Sequence, residues 1–156
     1  MGRIELIKIL EDGSIDGDEI QSTLTLDEIS QDVCETTSEA YKTKGFEEPW
    51  LSYLAVVDGN CVGTCGFRAP PELGRIEIEC YTFPEFEGRG VATEMTEALV
   101  QIALKENRDL TVAAYTEPSK GASARVLEKN GFSLVGLVGH QEDGEVWEWV
   151  LSREYH

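Results

Sequence analysis

A glycine pair, Gly88-x-Gly90, stands where a strand pattern stops and a helix pattern starts, and the chemistry such a pair offers is anion binding. No Cβ blocks the backbone at a glycine, and the first N–H groups of a helix have no internal partner, so the turn outlines a phosphate cradle. A glycine pair between two elements also serves as an ordinary turn. Two common nucleotide motifs do not fit. A P-loop needs Lys followed by Ser or Thr after its second glycine, where this chain has Val91-Ala92, and a dinucleotide fingerprint needs a third glycine where it has Thr93. Just upstream, Glu77 and Glu79 share one face of the strand that leads into the turn, so either carboxylate is placed to face a cleft beside it.

The elements that must position these groups follow from periodicity and punctuation. Residues 75–83 alternate, with Ile76, Ile78 and Cys80 on one face and Glu77, Glu79 and Tyr81 on the other, and after the turn Val91, Met95, Ala98, Leu99 and Ile102 recur at helical spacing. Upstream, residues 3–10 read as a strand and residues 14–22 as an acidic, poorly patterned loop. A helix follows, with Thr25 in a capping box, Leu24 and Ile29 as a staple, and Leu26, Ile29, Val33 and Ala40 as its buried face, ending near Lys44-Gly45. Residues 51–57 and 61–67 form a hairpin through Asp58-Gly59-Asn60, and Pro70-Pro71 break regular structure before the Glu77 strand. Downstream, the first helix ends around Asn107. A strand over 110–115 completes a βαβ unit, a short helix spans 119–130, and a last hairpin joins 132–139 to 145–151. The predicted order is β, helix, βββ, helix, β, helix, ββ, an α/β (α+β) mixed sheet that is mostly antiparallel, in one domain over residues 1–156. Tyr81, Tyr115, Trp50, Trp147 and Trp149 read as packing residues.

Thirty acidic against 13 basic residues give a formal net charge of −17, which argues against attraction to nucleic acid or to an anionic membrane and favours a cationic partner. No apolar run is long enough to span a bilayer and the first residues carry no apolar signal core, so a cytoplasmic location is expected. Cys34, Cys61, Cys65 and Cys80 sit in apolar patterns, as small core residues do in a reducing compartment. Cys61 and Cys65 have metal-like spacing, but the histidines, His140 and His156, are distant in sequence, so no metal is expected.

Two blocks, Phe83-Pro84-Glu85-Phe86-Glu87-Gly88-Arg89-Gly90-Val91-Ala92-Thr93 and Ala122-Ser123-Ala124-Arg125-Val126-Leu127-Glu128-Lys129-Asn130-Gly131-Phe132, give the chain its resemblance to the GCN5-related N-acetyltransferase (GNAT) family. The resemblance covers roughly residues 50–151. It implies a splayed mixed sheet and acetyl-CoA as cosubstrate, with the amides of Gly88, Arg89, Gly90, Val91 and Ala92 on its pyrophosphate, a hydroxyl contact from Thr93, and the Thr82-Phe83 backbone on the pantetheine arm. The chain departs from the family pattern at Glu85, where Gln or Arg is usual, and at Lys120, where Asn is common. Because coenzyme A is anionic and so is this protein, Arg89, Lys120 and Arg125 are the cations placed to offset the surrounding acid.

Acetyl transfer to an amine needs a neutral amine, a donor for the developing oxyanion and a proton for the leaving thiolate. The resemblance favours Glu77 as the base, with Glu79 as the second candidate, and implies Ser123 as the hydroxyl that protonates the thiolate. The implied acceptor is a small-molecule amine or a peptide N-terminus, with direct transfer. The alternative is a non-catalytic module of the same fold that binds acyl-CoA or a protein, a reading supported by Glu85 and Lys120. A protein acceptor docking at Pro70-Pro71 and the acidic loop at 12–19 is a third reading, and the Trp-bearing hairpin offers an interface for a homodimer.

Overall fold

Polar turns cut the first half of the chain into short strands, and the sheet they build carries everything else. The computed structural model describes residues 4–16, 27–140 and 143–152. Along the chain lie β1 (Glu5–Lys8), α1 (Glu28–Lys44), β2 (Ser52–Val57), β3 (Asn60–Phe67), β4 (Arg75–Thr82), a 3₁₀ turn at Pro84–Phe86, α2 (Val91–Glu106), β5 (Thr111–Thr116), α3 (Ala122–Lys129), β6 (Phe132–His140) and β7 (Gly144–Leu151). The predicted order holds, with the 3₁₀ turn as an addition that Pro84 initiates. Among the described residues seven strands form one sheet in the order β1-β2-β3-β4-β5-β7-β6. Every pairing is antiparallel except β4 with β5, which the βαβ unit makes parallel. At the β2–β3 hairpin Asp58 and Gly59 both take positive φ, 49° and 80°, the backbone that a tight two-residue turn demands.

The core fills both sides of this sheet. All six residues of β2 are buried, as a strand covered on both faces requires. Helix α2 turns Val91, Met95, Leu99 and Ala103 onto the sheet at intervals of four, and all four are at most 1% exposed.

Helix α1 departs from its predicted face. The residues it buries are Ser30, Cys34 and Tyr41, whereas Ile29 is 49% exposed. The observed stripe is rotated by one residue because small Ser30 and Cys34 let the helix approach the sheet and Tyr41 makes the polar anchor. The Tyr41 hydroxyl donates to the Ile9 carbonyl at 2.7 Å and accepts from the Ser52 N–H at 3.0 Å. Hydrophobicity alone ranks Ile29 above Ser30, so this preference was invisible in composition. Asp27 caps the helix by accepting from the Ser30 N–H at 2.8 Å, and Gly45 ends it. The cap and staple read at Leu24, Thr25 and Leu26 lie outside the described residues. Tyr41→Phe strands two buried backbone groups, so urea unfolding is expected to show a loss of about 1–3 kcal/mol.

Candidate active site

Strands β4 and β5 pair only where Arg75, Ile76 and Glu77 meet Thr111, Val112 and Ala113. Beyond Glu77 they part. On its other side β4 is hydrogen-bonded to β3 through alternate residues, as the Arg68 N–H to Glu77 carbonyl bond (2.9 Å) and the Phe83 N–H to Val62 carbonyl bond (3.0 Å) fix. The N–H and C=O groups of Ile78, Cys80 and Thr82 therefore point into the gap, and among the described residues no strand pairs with that edge. A cleft of about 560 Å³ fills the gap, bounded by the N-terminus of α2 and by α3.

At the head of this cleft the glycine turn has the conformation an anion needs. Gly88 and Gly90 take φ of 76° and 81°, and a Cβ added at either would meet no atom within 4 Å, so both glycines border open space. Gly90 caps α2 without a side chain, and the first N–H to bond back is that of Glu94, to the Gly90 carbonyl at 3.1 Å. The N–H groups of Val91, Ala92 and Thr93 thus have no partner within the helix. Unpaired amides at a helix start are groups able to accept an anion.

Thr82, Gly88, Gly90, Val91, Ala92, Thr93 and Ser123 all line the cleft. Phe83 is 2% exposed and anchors the turn from below. Arg89 and Lys120 are exposed and do not line it; the Arg89 guanidinium lies 5.5 Å from the Phe86 ring. The cations that do line it are Arg125 and Lys129, one helical turn apart on α3, which adds positive charge beside the free amides of the glycine turn. Glu85 is exposed and outside the lining. Asn130 fixes α3 against the cradle by donating to the Thr93 carbonyl at 3.3 Å.

A second cleft, of about 480 Å³, lies between α1 and strands β3 and β4. Ile29 and Val33 give it an apolar wall, and Asp32 and Glu79 give it two carboxylates. This is where the exposed side of α1 finds its use. Glu79, Cys80 and Tyr81 line both clefts, so β4 is their common rim. Tyr81, which alternation reads as packing, is 53% exposed on that rim.

The two candidate carboxylates have different surroundings. Glu79 lies 3.3 Å from Arg68 Nε, its side chain half exposed, while the same guanidinium reaches Asp143 at 2.7 Å. Glu77 sits in a denser cluster: its Oε2 accepts from the Tyr115 hydroxyl at 3.2 Å and lies 3.8 Å from Arg75, and its Oε1 is 3.4 Å from His140 Nε2. Arg75 also pairs with Glu148. Burial pushes the Tyr115 phenol up, so it stays protonated and donates. His140 is 63 residues from Glu77 and arrives through the last hairpin, a proximity that sequence spacing hides. Lys129 and Asp32 were likewise unmarked, since only the folded clefts distinguish them from other surface charges. Among the described residues no helix is long and apolar enough to cross a membrane.

A family model described as an acetyltransferase (GNAT) domain matches residues 16–133. No curated protein matches the chain. Among solved structures, the aminoglycoside acetyltransferase AAC(6')-Ib in complex with paromomycin and acetyl-CoA superposes with a TM-score of 0.67 at 20% identity, over 98% of this chain and 95% of that one. RimL, the ribosomal L7/L12 alpha-N-protein acetyltransferase, in complex with coenzyme A as a disulfide with one of its cysteines, gives 0.66 at 15% identity, over 96% and 94%. A GNAT-family acetyltransferase from Bacillus anthracis gives 0.64 at 17%, over 97% and 96%. At these identities the likeness is one of fold.

Proposed function

Because the chain belongs to the GNAT acetyltransferase family, we propose that it transfers the acetyl group of acetyl-CoA directly to a primary amine of a small molecule or peptide seated between α1 and β4. The observation that carries this reading is the shared rim at Glu79, Cys80 and Tyr81, which brings the two clefts together on the strand feeding the glycine turn.

Acetyl-CoA, when bound, supplies the activated thioester. The chain's own groups do the rest. The amides of Val91, Ala92 and Thr93 bind phosphate, with Arg125 and Lys129 adding charge. The edge groups of Ile78, Cys80 and Thr82 hold an extended polar arm as a neighbouring strand would. Glu79 takes the proton of the ammonium acceptor, directly or through water, and Glu77 with Arg75, Tyr115 and His140 positions β4 at the rim. Ser123, exposed on the cleft wall, returns a proton to the thiolate. Asp32 and Glu79 select a cationic acceptor, and Ile29, Val33 and Tyr81 favour one with an apolar body. The non-catalytic alternative loses its support here, since Glu85 and Lys120 lie outside the lining.

Two measurements test this. Acetyl-CoA near a hundred times its dissociation constant is expected to add about 2.7 kcal/mol, raising the unfolding temperature by roughly 5–10 °C, with NAD giving no shift. Thiol release is then followed with diamines, aminoglycosides and peptide N-termini. Acetylation of cationic amines is expected; turnover confined to neutral or acidic acceptors overturns the acceptor assignment.

A further inference from the structure

Cys65 and Cys80 face each other across β3 and β4. The hydrogen-bonded pairs of this ladder fall at Val62–Phe83 and Arg68–Glu77 and at every second position between, so Cys65–Cys80 is a non-hydrogen-bonded pair. Cα atoms opposed at such a position lie about 4.5 Å apart, within the span a disulfide bridges. Both residues line the acceptor cleft, and Cys80 lines the cofactor cleft as well. All four cysteines are free thiols, but the other two lack this placement. Cys34 lies under α1, where burial pushes its thiol up to about 11, and neither it nor Cys61 lines either cleft.

We propose that Cys65 and Cys80 form a thiol–disulfide exchange site that opens on the cofactor cleft and accepts a low-molecular-weight disulfide, coenzyme A disulfide foremost. The preference for a coenzyme A moiety rests on the proposed cofactor cleft; the exchange itself rests on the cysteine pair. The two thiols have different roles. Cys80 is partly exposed and alone of the pair lines the cofactor cleft, whereas Cys65 is buried beside it; the Thr96 hydroxyl lies 3.5 Å from the Cys80 sulfur, and the neighbouring Cys65 thiol holds Cys80 below the ordinary thiol value. Cys80 is therefore the attacking thiolate and Cys65 the resolving thiol.

Cys80 attacks one sulfur of the small disulfide. That S–S bond breaks, one small thiolate leaves and takes up the proton Cys80 gave to solvent, and a mixed disulfide on Cys80 remains. Cys65, after losing its proton, attacks the Cys80 sulfur and expels the second small thiolate, which is protonated in turn. Two protein thiols become one disulfide, and one small disulfide becomes two thiols. When the small thiol is coenzyme A, the mixed disulfide fills the cofactor cleft covalently, and resolution by Cys65 clears it. The pair thus frees the cleft from an oxidised form of its own product.

The test uses the reduced full chain, incubated with coenzyme A disulfide or with glutathione disulfide, alkylated, and read by intact mass and peptide mapping. Wild type is expected to lose two hydrogens and yield a Cys65–Cys80 cross-linked peptide without an adduct. Cys65→Ser is expected to accumulate one coenzyme A adduct on Cys80, and Cys80→Ser none. Entry through the cofactor cleft makes coenzyme A disulfide roughly tenfold faster than glutathione disulfide. Equal rates with the same cross-link uphold the pair and overturn its coenzyme A preference. A wild type that keeps both thiols, a bridge involving Cys34 or Cys61, or an adduct on Cys80→Ser overturns the site. The wild-type result decides even if a variant fails to fold.

Discussion

Glu79→Gln is expected to lower kcat/KM for amine acetylation by about 10²- to 10⁴-fold, the usual contribution of a positioned base. Glutamine fills the same space and keeps a polar contact with Arg68, but it cannot take the ammonium proton. The cofactor cleft is left intact, so the thermal shift given by acetyl-CoA should not change. That contrast separates a lost proton acceptor from a lost binding site. Glu77→Gln is the paired measurement. Its carboxylate is shared among Arg75, Tyr115 and His140, and partly exposed ion pairs of this kind contribute about 0.2–1 kcal/mol, or up to about fivefold in rate. If instead Glu77→Gln abolishes turnover and Glu79→Gln does not, the base is Glu77 and His140 becomes its route to solvent.

Gly90→Val is expected to weaken acetyl-CoA binding by roughly 100-fold, about 3 kcal/mol. Two effects add. A β-branched residue at φ of 81° is strained, so the turn opens or distorts. The new side chain also projects into the open space that Gly90 borders, where a phosphate would otherwise meet the α2 amides. Gly90→Ala carries less bulk and should lose less affinity. Direct titration of acetyl-CoA on the folded variants gives both values. Retention of full affinity by Gly90→Val would remove the glycine turn from the cofactor site.

Much of this site was legible before folding, for reasons that are local. The Asp58-Gly59 turn, the alternation of 75–82 and the 3.6-residue rhythm after Gly90 are written in neighbouring residues, and backbone physics acts on neighbours. The glycine turn and its free amides were readable because their position follows from where a helix starts. What escaped depends on tertiary approach. Helix α1 chooses Ser30 over Ile29 because small residues let it sit close and Tyr41 finds two backbone partners, facts that belong to the sheet beneath. His140 reaches Glu77 only through the last hairpin, and Glu79 separates from Glu77 only when both clefts exist. Of the three cations read from the sequence Arg125 lines the cleft while Arg89 and Lys120 do not, and Lys129 went unmarked because only the packing of α3 turns it toward the cleft beside Arg125.

The parting of β4 from β5 bears on how such a protein diversifies. Along that edge the cosubstrate is offered N–H and C=O groups, which every residue except proline supplies in full. Ile78, Cys80 and Thr82 are thus interchangeable as far as those contacts go, provided a strand still forms. The acceptor cleft is built the other way, from the side chains of Asp32, Val33, Glu79 and Tyr81, each of which changes the pocket when it changes. One half of the reaction is insulated from mutational drift and the other is exposed to it. A lineage on this scaffold can trade one amine for another by a few substitutions on α1 and the outward face of β4 without losing its acetyl donor.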